Sequence, residues 1–490
     1  MTVRVRYAPS PTGLQHIGSV RTALFDYLFA KASGGSWVLR IEDTDRDRFN
    51  EESLQDIYDT FSWLGIHWDE GPDIGGEYGP YIQTERKELY SKYAQQLLDS
   101  GNAYYAYDTA EELQAQREAA DGKGGYDRRF RDMPEEELEA YRQKGIAPVV
   151  RFKVPIEGTT TLHDAVFGET TWDNSDVIAD PVLMKSDGLP TYHLAAVVDD
   201  HLMEITHIMR GPEWLPSTPL HLMLYQAFGW KPPQFVHLPL VVGDDGKKLS
   251  KRHGSTRVLE FRERGYLPEA LINYLARVGW SYDDRQEIFS RDELERIFSL
   301  EKINKAPAVF DYKKLEWLNG HYIRERSADS LYELILPFLQ KAGLADDPPT
   351  DGQRSIITGA VPLIQERLKY LADAPDLLRF LFEDPGEFDL SEMVPKKLDV
   401  AQTAELLGKI APMVSDIPGR TDEENEQLFR AKAEELETKL GNLLMPLRVA
   451  VTGSRVSPPL FGSLRLLGAE EAQRRVDRAL ERLRAHRQNN

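Results

Sequence analysis

The sequence predicts an α/β protein built on a parallel sheet, with a smaller inserted domain and an all-α region towards the C-terminus. Three observations lead to this prediction. The first sixty-odd residues alternate between strand-like and helix-like hydrophobic patterns, short β-like segments appear from about Val149, and helical periodicity dominates beyond Leu267. The length of 490 residues also exceeds what one hydrophobic core supports, so about three or more domains are expected.

Composition narrows the class of protein. A hydrophobic content of 41% and a charged content of 29% fit a soluble globular chain. No apolar run is long enough to cross a bilayer and no signal-peptide pattern is present, so we expect a cytoplasmic protein without a membrane partner. The absence of cysteine excludes disulfides and thiolate metal sites. The net charge of −20 disfavours a nucleic-acid partner, although phosphate binding depends on the local field at the contact.

The N-terminal segment reads as strand, helix, strand, helix. Alternation over Val3–Tyr7 predicts a strand, and helical spacing runs from about Ser19 to a stop at Gly34. The apolar run Trp37–Ile41 suits a buried parallel strand, and the second helix stops at Gly65. In such sheets ligands bind beyond the carboxyl ends of the strands. The loops "APSPTG" and "EDTD", which follow the two strands, are therefore expected to face one cleft.

A Gly/Pro-rich connection, "GPDIGGEYGP", begins at Gly71 and precedes a different pattern. Thr109 and Glu112 have the spacing of a capping box, and Asp187-Gly188 predicts a hairpin turn. We interpret this region as an inserted domain, after which the parallel sheet resumes.

The resumed sheet is predicted from two strand-like runs, "MEITHIMRG" and "FVHLPLVV". The helix between them has Ser217 or Thr218 as its capping residue, Pro219 at its first position and Gly229 at its end. Farther on, the last helix of the chain is basic. Its arginines are Arg474, Arg475, Arg478, Arg482, Arg484 and Arg487.

The opening loop, "RYAPSPTGLQHIGS", is a candidate phosphate site. Prolines fix its backbone, glycines permit close approach of a ligand, and the helix behind it offers free N–H groups. His16 can donate a hydrogen bond to a phosphate oxygen. The loop matches neither the dinucleotide fingerprint nor the Walker loop, and taken alone it is more typical of a rigid turn with a surface histidine.

A second loop, "GDDGKKLSKRHGS" at Gly243–Ser255, follows the last predicted strand. Lysines on such a loop can neutralise charge that develops on a leaving pyrophosphate, although a single basic turn is more often merely solvated. Because both loops are expected at one edge of the same sheet, together they indicate a nucleotide-processing site.

Ionic residues at the strand ends suit a small zwitterion. Arg6 and Arg210 can pair with carboxylates, Glu42 can receive an ammonium group, and Tyr192 can add a hydroxyl. Two arginines and one glutamate suggest an amino acid with an extra acidic group, whereas surface ion pairs are the alternative. The "EDTD" loop and the pair Asp199-Asp200 are compatible with magnesium ligands or with structural acids, and both readings stay open.

Several motifs of the sequence resemble those of a known protein family. "HIGS" (His16–Ser19) and "KLSKR" (Lys248–Arg252) resemble the two signatures of class I aminoacyl-tRNA synthetases. The longer strings "RYAPSPTGLQHIGS", "RIEDTD", "SDGLPTYHLA" and "KKLSKRHGS" are similar to those of the bacterial glutamyl-tRNA synthetases, and the resemblance runs from Arg6 to the C-terminal helix. It implies formation of glutamyl-adenylate from glutamate and ATP, followed by transfer to the terminal adenosine of tRNA(Glu).

The resemblance also implies roles for individual residues. The catalytic residues implied are His16, Gly18, Lys248 and Lys251. The ATP-binding residues implied are Thr12, His16, Gly18 and Lys251, and the glutamate-binding residues are Arg6, Ala8, Ser10, Glu42, Tyr192 and Arg210. By approximate alignment, Arg367 favours the glutamate anticodon over the glutamine one. Mg²⁺ is expected to accompany ATP, without assigned protein ligands, and the zinc site of some members is not expected because cysteine is absent.

The implied architecture has a Rossmann-like catalytic domain split by an acceptor-end-binding domain, then a helical stem-contact region and a helical anticodon-binding domain. The expected boundaries are 1–80 and 187–245 for the catalytic halves, 81–186 for the insertion, 246–329 for the lysine loop and stem contact, and 330–490 for the anticodon domain, with subdomains at about 330–390 and 391–490. A monomer is expected. The alternatives are a glutaminyl-tRNA synthetase or an enzyme that also glutamylates tRNA(Gln).

Overall fold

The computed structural model describes residues 2–119, 125–283 and 285–489, which divide into two compact units. The first unit contains the residues up to Arg262 together with Pro268–Tyr312, and the second contains Glu263–Leu267 and the chain from Lys313 onward. Every strand within the described residues lies in the first unit, whereas the second is helical. The predicted combination of α/β and all-α architecture is confirmed. None of the described helices is long and apolar enough to span a membrane.

The described residues of the first unit form eleven strands. They are β1 Arg4–Tyr7, β2 Ser36–Leu39, β3 Ala103–Ala106, β4 Val149–Phe152, β5 Thr159–Asp164, β6 Gly168–Asp173, β7 Val182–Met184, β8 His207–Arg210, β9 Gln234–His237, β10 Val241–Val242 and β11 Ala308–Val309. Its helices are α1 Ile17–Ala32, α2 Glu51–Leu64, α3 Lys87–Asp99, α4 Ala110–Ala119, α5 Glu135–Gln143, α6 Tyr192–Leu202, α7 Thr218–Phe228, α8 Val258–Glu263, α9 Pro268–Arg277 and α10 Arg291–Ile297.

The helices of the second unit begin at the boundary between the units. They are α11 Tyr312–Arg324, α12 Ala328–Lys341, α13 Asp351–Ile364, α14 Ala374–Phe382, α15 Val400–Ile410, α16 Asp422–Glu435, α17 Leu440–Thr452, α18 Leu460–Leu467 and α19 Ala469–Asn489. Helices α15 to α19 enclose a core of apolar side chains that includes Leu407, Phe429, Leu447 and Val476.

The strands that carry the predicted loops pair in parallel. β1 pairs with β2 in the register Arg4↔Ser36, and β8 pairs with β9. The carbonyl oxygen of Arg4 accepts a hydrogen bond from the N–H of Thr206 at 2.9 Å, so the start of β8 lies beside β1. The carboxyl ends of β1, β2 and β8 therefore meet at one edge, as parallel strands require.

Helix ends follow the turn chemistry of the sequence, with one shift. Gly65 and Gly229 adopt the left-handed conformation and end α2 and α7, as predicted. Helix α1, however, begins at Ile17 rather than at about Ser19, because the His16 side chain occupies the N-cap position and accepts from the Ser19 N–H. Pattern analysis missed this cap because histidine is not a common capping residue.

Two predicted features of the resumed sheet are wrong. Ser217 precedes α7, but its hydroxyl donates to the Trp214 carbonyl instead of capping the helix, because a 3₁₀ turn already leads into α7. The run "FVHLPLVV" forms two strands, β9 and β10, rather than one. Pro239 lies at the interruption, where its missing N–H cannot join a ladder.

The inserted region contains two small antiparallel sheets, with strand orders β3-β4-β7 and β5-β6. The capping box of Thr109 and Glu112 is present, with each side chain bonded to the other residue's N–H, and Asp187-Gly188 forms the predicted turn. The β5–β6 hairpin lies against β9, where the Ala165 N–H donates to the Phe235 carbonyl at 2.9 Å. The insertion is thus attached directly to the resumed parallel strands.

Most arginines of the basic last helix have partners within the second unit. Arg474 and Arg478 both bind Asp384, and Arg475 is buried, where it donates to the carbonyls of Phe380 and Val451. Arg482 likewise donates to a carbonyl, that of Phe388. These side chains hold α19 in the second unit. The side chain of Arg487 lies outside the described residues.

A buried ion network connects the parts of the first unit. Asp200, on α6, accepts from Arg6 at 2.9 Å and from Arg40 at 2.8 Å, and all three side chains are almost fully buried. Although burial alone would raise the pKa of Asp200, the two guanidinium groups hold it below its usual value. The network joins residues that are 194 positions apart in the chain.

Asp26, on α1, is the opposite case, since it is fully buried and neither of its carboxylate oxygens has a hydrogen-bond partner in the described structure. Burial raises the pKa of Asp26 well above its usual value. The folded protein therefore retains a proton that the unfolded chain releases above pH ~4. The folded state consequently loses stability as the pH rises from ~4 towards the raised pKa of Asp26 in the folded protein.

We predict that Asp26→Asn raises the melting temperature relative to the unsubstituted chain, and that the gain is larger at pH 7.5 than at pH 4, by about 1 kcal/mol or more in free energy. Asp200→Asn serves as the comparison, because it leaves Arg6 without a carboxylate partner and removes one of the carboxylates that pair with Arg40, so it should destabilise the protein by about 3–5 kcal/mol. Thermal unfolding followed by circular dichroism at both pH values measures each effect. An equal gain for Asp26→Asn at the two pH values would contradict the assignment.

Candidate active site

One cavity of about 1070 Å³ lies at the carboxyl ends of β1, β2 and β8. The structure brings together in its wall every residue predicted for catalysis, ATP or glutamate. They are Arg6, Ala8, Ser10, Thr12, His16, Gly18, Glu42, Tyr192, Arg210, Lys248 and Lys251. Arg367 lies elsewhere, exposed in the second unit just beyond the end of α13. The expectation that two loops distant in sequence face one cleft is met by this arrangement.

The opening loop places His16 at the start of α1. The Nδ1 atom of His16 accepts from the Ser19 N–H at 3.2 Å, so a neutral ring carries its proton on Nε2, which remains available as a donor. Partial burial, together with the charge of Lys248, lowers the pKa of His16 and favours the neutral ring. In the first turn of α1 the N–H groups of Ile17 and Ser19 already have acceptors, whereas no described residue accepts from the N–H of Gly18, which lies beside this donor and makes the helix start suitable for an anion.

Gly18 packs closely against the His16 ring. A Cβ at position 18 would lie 3.2 Å from ring atoms Cε1 and Nδ1 of His16, closer than side chains normally pack. A larger residue would therefore require the ring to shift by a few tenths of an ångström. The spacing of histidine and glycine in "HIGS" therefore has a local steric reason.

The lysine loop is connected to the opening loop through the main chain that follows it. The Ile17 N–H donates to the Thr256 carbonyl at 2.9 Å, and the Val258 N–H donates to the Gln15 carbonyl at 3.0 Å. The ammonium group of Lys248 lies 3.7 Å from Glu213, and both side chains are largely exposed. No described residue forms an ion pair with Lys251. Both cations can therefore turn towards a negatively charged ligand without breaking a strong contact.

The two arginines of the cavity have different partners. Arg6 is paired with Asp200, which raises its pKa despite burial. Arg210 donates to neutral acceptors instead: its Nε to His237 Nε2 at 3.0 Å and its Nη2 to the Thr218 hydroxyl at 2.6 Å. No carboxylate among the described residues lies within ion-pair distance of Arg210.

The consequence is a buried positive charge without a counter-ion. Burial lowers the pKa of Arg210, although a hydrogen bond with Tyr192 opposes this effect. An arginine remains charged in proteins even so, because its unperturbed pKa is far above physiological pH. An uncompensated buried charge is costly, and an anionic ligand group that enters the cavity would relieve the cost.

Glu42 and Tyr192 lie on the walls beside the arginines. Glu42 accepts from Arg40 at 3.0 Å, and burial raises its pKa although Arg40 opposes the shift. The ring of Tyr192, the first residue of α6, packs against Trp214 with ring centroids 4.6 Å apart. Trp214 also lines the cavity and was not among the predicted residues; the only signal for it was an aromatic residue in the loop "GPEWLPS" that follows a candidate strand.

The "EDTD" loop and the pair Asp199-Asp200, which the sequence leaves open as magnesium ligands or structural acids, contain acids that form contacts within the protein. Asp43 accepts from the N–H and the hydroxyl of Thr84, at 2.9 and 2.6 Å. Asp199 accepts from Arg86 at 2.7 Å and from Tyr90 at 2.8 Å. The described residues contain no group of three or more side chains suited to hold a metal ion. These contacts favour the structural reading of both acidic segments.

Comparison with known proteins places this geometry in a family. Residues 2–317 match the family described as "tRNA synthetases class I (E and Q), catalytic domain", and residues 330–480 match "Anticodon binding domain". The glutamate–tRNA ligase of Treponema denticola is 49% identical over 502 residues, which cover 98% of this chain and 99% of that protein. The glutamate–tRNA ligase of Borreliella burgdorferi is 50% identical over 487 residues and covers 99% of both chains.

Solved structures agree with the sequence comparisons. The crystal structure of a glutamate–tRNA ligase from Elizabethkingia meningosepticum in complex with its amino acid has a TM-score of 0.85 at 36% identity, and covers 99% of this chain and 100% of that chain. The glutamate–tRNA synthetase from Elizabethkingia anophelis has a TM-score of 0.86 at 37% identity over 98% of this chain and 100% of that chain. The chain therefore belongs to the glutamyl-tRNA synthetases, a family of class I aminoacyl-tRNA synthetases.

Proposed function

We propose that this chain activates L-glutamate with ATP and transfers the glutamyl group to the 3′-terminal adenosine of tRNA(Glu). Besides membership of the family, the observation that supports this activity best is the cavity itself. Its wall combines a helix start with a free histidine donor, two exposed lysines, and a buried arginine without a carboxylate partner. These features suit, in turn, the phosphates of ATP, the charge of a leaving pyrophosphate, and a carboxylate of the amino acid.

The reaction proceeds in two displacements. A carboxylate oxygen of glutamate attacks the α-phosphorus of ATP, the bond to the β-phosphate oxygen breaks, and pyrophosphate leaves. A ribose hydroxyl of the terminal adenosine, the 2′-hydroxyl in this class, then attacks the carbonyl carbon of glutamyl-adenylate, and AMP leaves. Neither step needs a covalent bond to the protein. Positioning and charge stabilisation by the cavity residues supply the catalysis.

Glutamate is held between the arginines and Glu42. Arg210 pairs with a carboxylate of the substrate, Arg6 and Tyr192 add donors nearby, and Glu42 receives the ammonium group. Ala8 and Ser10 complete this wall. A neutral amide in place of the side-chain carboxylate would leave the charge of Arg210 uncompensated, which disfavours glutamine as the substrate.

ATP binds on the other side of the cavity. The Nε2–H of His16 and the N–H groups at Gly18 contact the phosphates, Thr12 lies beside them, and Lys248 and Lys251 stabilise the pentavalent transition state. Mg²⁺ would enter with ATP and help neutralise its phosphates. The described residues offer no three-ligand site, so phosphate oxygens and water would make up most of its coordination.

The domain roles follow the same proposal. Residues 1–80 and 187–245 form the catalytic domain, 81–186 bind the acceptor end of tRNA, 246–329 carry the lysine loop and contact the stem, and 330–490 read the anticodon. The match of residues 330–480 to an anticodon-binding domain supports the last assignment. We further propose a cytoplasmic monomer that uses ATP with Mg²⁺ and no zinc.

Arg367 is proposed to favour the glutamate anticodon. It is exposed near Arg448, whose pKa is lowered by burial and by the charge of Arg367. Two guanidinium groups that repel each other are suited to an anionic or base-rich partner, and unpaired bases stack readily on such planes.

Lys251→Ala should lower the rate of ATP–pyrophosphate exchange by about 10²–10³-fold, because one donor to the developing charge is lost. Lys247→Ala is the matched control, since Lys247 belongs to the same loop but does not line the cavity. Exchange is measured with glutamate, with and without tRNA(Glu). A Lys251→Ala variant with the exchange rate of the unsubstituted chain would show that the catalytic assignment is wrong.

Arg210→Ala should raise the KM for glutamate by about 10²-fold or more, while the KM for ATP changes little, because a charge-assisted contact to the substrate is removed. Both constants come from ATP–pyrophosphate exchange in the presence of tRNA(Glu). Equal increases in the two KM values would place Arg210 outside the amino-acid site.

Arg367→Ala should narrow the preference for tRNA(Glu) over tRNA(Gln) in an aminoacylation assay by about 10-fold, since a contact of 1–2 kcal/mol with the anticodon is lost. Arg354→Ala, on the exposed face of α13, is the control. Efficient glutamylation of tRNA(Gln) by the unsubstituted chain would instead identify a non-discriminating enzyme.

A further inference from the structure

The buried arginine of the amino-acid site is connected to the inserted region by two further side chains. The Nε of Arg210 donates to Nε2 of His237 at 3.0 Å, and Nδ1 of His237 lies 2.7 Å from Oδ2 of Asp164. The side chains of His237 and Asp164 have no exposed surface. Arg210 and His237 end the strands β8 and β9, whereas Asp164 ends β5 of the inserted hairpin.

The chemistry of the three groups fixes the tautomer of His237. Arginine has only donors, so Nε2 of His237 must be the acceptor and the proton of the neutral ring must be on Nδ1. That proton is donated to Asp164. Burial lowers the pKa of His237, although Asp164 opposes the shift, so the ring is neutral at physiological pH.

The hydrogen bonds that Asp164 accepts hold its carboxylate in the orientation that faces His237. Its Oδ1 accepts from the N–H groups of Val166 and Phe167, both at 2.9 Å, and its Oδ2 accepts from the N–H as well as Nδ1 of His237. Although burial alone would raise the pKa of Asp164, these hydrogen bonds hold it below its usual value. The carboxylate is therefore ionised, and each of its oxygens accepts two hydrogen bonds.

The backbone keeps the hairpin in place around this contact. Besides the bond from Ala165 to Phe235, the side-chain amide of Gln234 donates to the His163 carbonyl at 2.7 Å. The chain Asp164–His237–Arg210 thus crosses from a rigidly attached hairpin to the cavity wall without a solvent-exposed step.

We propose that Asp164 and His237 are positioning residues for the amino-acid substrate: the insertion holds Arg210 through them, so that its outer N–H groups face the substrate carboxylate. This inference rests on the proposed role of Arg210 in glutamate binding. His237 occupies the Nε–H, and Thr218 takes one N–H of Nη2. With its inner side held, the guanidinium group presents a fixed fork to the cavity, the geometry that favours bidentate binding of a carboxylate.

Asp164→Asn is the sharpest test because it keeps the shape of the side chain. The amide oxygen is expected to retain the bonds from Val166 and Phe167, which leaves the NH₂ group facing Nδ1 of His237 and removes the acceptor of the His237 backbone N–H. His237 must then accept through Nδ1 and carry its proton on Nε2, where it faces the donor of Arg210. We expect the KM for glutamate to rise about 10-fold, with the KM for ATP changed less than about twofold.

His237→Phe removes both ring nitrogens and retains most of the volume, so it should raise the KM for glutamate to a similar extent. Since the two residues act in series, the double variant should resemble His237→Phe alone rather than show the product of both effects. His163→Gln is the matched control, because His163 precedes Asp164 in β5 but its side chain is exposed. It should leave both KM values unchanged.

The tautomer provides a readout that a loss of stability would not mimic. In ¹⁵N-histidine-labelled protein, the His237 signal, identified by its absence from His237→Phe, should report an unprotonated Nε2 in the unsubstituted chain and a protonated Nε2 in Asp164→Asn. The same result in both proteins would overturn the proposal, as would independent, multiplicative effects of the two substitutions on KM. A variant that fails to fold is identified by its melting curve, and the other variant then decides through its KM for glutamate.

Arg210→Ala distinguishes a failure of the proposed amino-acid site from a failure of the positioning role of Asp164 and His237. If this variant binds glutamate normally, the proposed amino-acid site is wrong and the positioning role fails with it. If Arg210→Ala raises the KM for glutamate whereas Asp164→Asn and His237→Phe do not, only the positioning role is overturned.

Discussion

The buried contact of Asp200 with Arg6 and Arg40 is the constraint on which the active-site half of the first unit depends. The three residues come from α6, from β1 and from the segment just after β2. A charge without a partner is very costly in an apolar interior, so these segments can be buried only when they meet. The insertion separates them in sequence, yet the network forces the two halves of the parallel arrangement to close around one edge, where the cavity lies.

At that edge, Arg6 and Arg210 differ in whether a carboxylate neutralises their charge. Arg6 has its own carboxylate and contributes donors with little net charge, whereas Arg210 is surrounded by the neutral acceptors His237, His221 and Thr218. The uncompensated positive charge in this part of the cavity is therefore concentrated at Arg210. The proposed selection for an acidic side chain follows from this asymmetry more directly than from the number of arginines, because only an anionic group offsets the uncompensated charge.

Features that depend on neighbouring residues could be predicted from the sequence, whereas features that depend on partners far away in the chain could not. The loops after β1 and before α8 were predicted from their glycines, prolines and lysines, and their residues line one cavity. Trp214 and the pair Asp164 and His237 were missed, since an aromatic residue in a loop or an isolated acid has no periodic signal. The pairing of Arg474 and Arg478 with Asp384 has no signal in the sequence either, because Asp384 lies about ninety residues earlier.

The attachment of the β5–β6 hairpin changes how the insertion has to be understood. A domain that served only to bind the acceptor end of tRNA would need no buried polar contact with the amino-acid site. Asp164 supplies such a contact, and its cost in desolvation is offset only because four donors converge on it. With the roles proposed for the insertion and for Arg210, a substitution that moves the hairpin should therefore alter glutamate affinity as well as tRNA affinity. Defects in aminoacylation caused by changes in the insertion have to be separated by their KM for glutamate before they are attributed to tRNA binding.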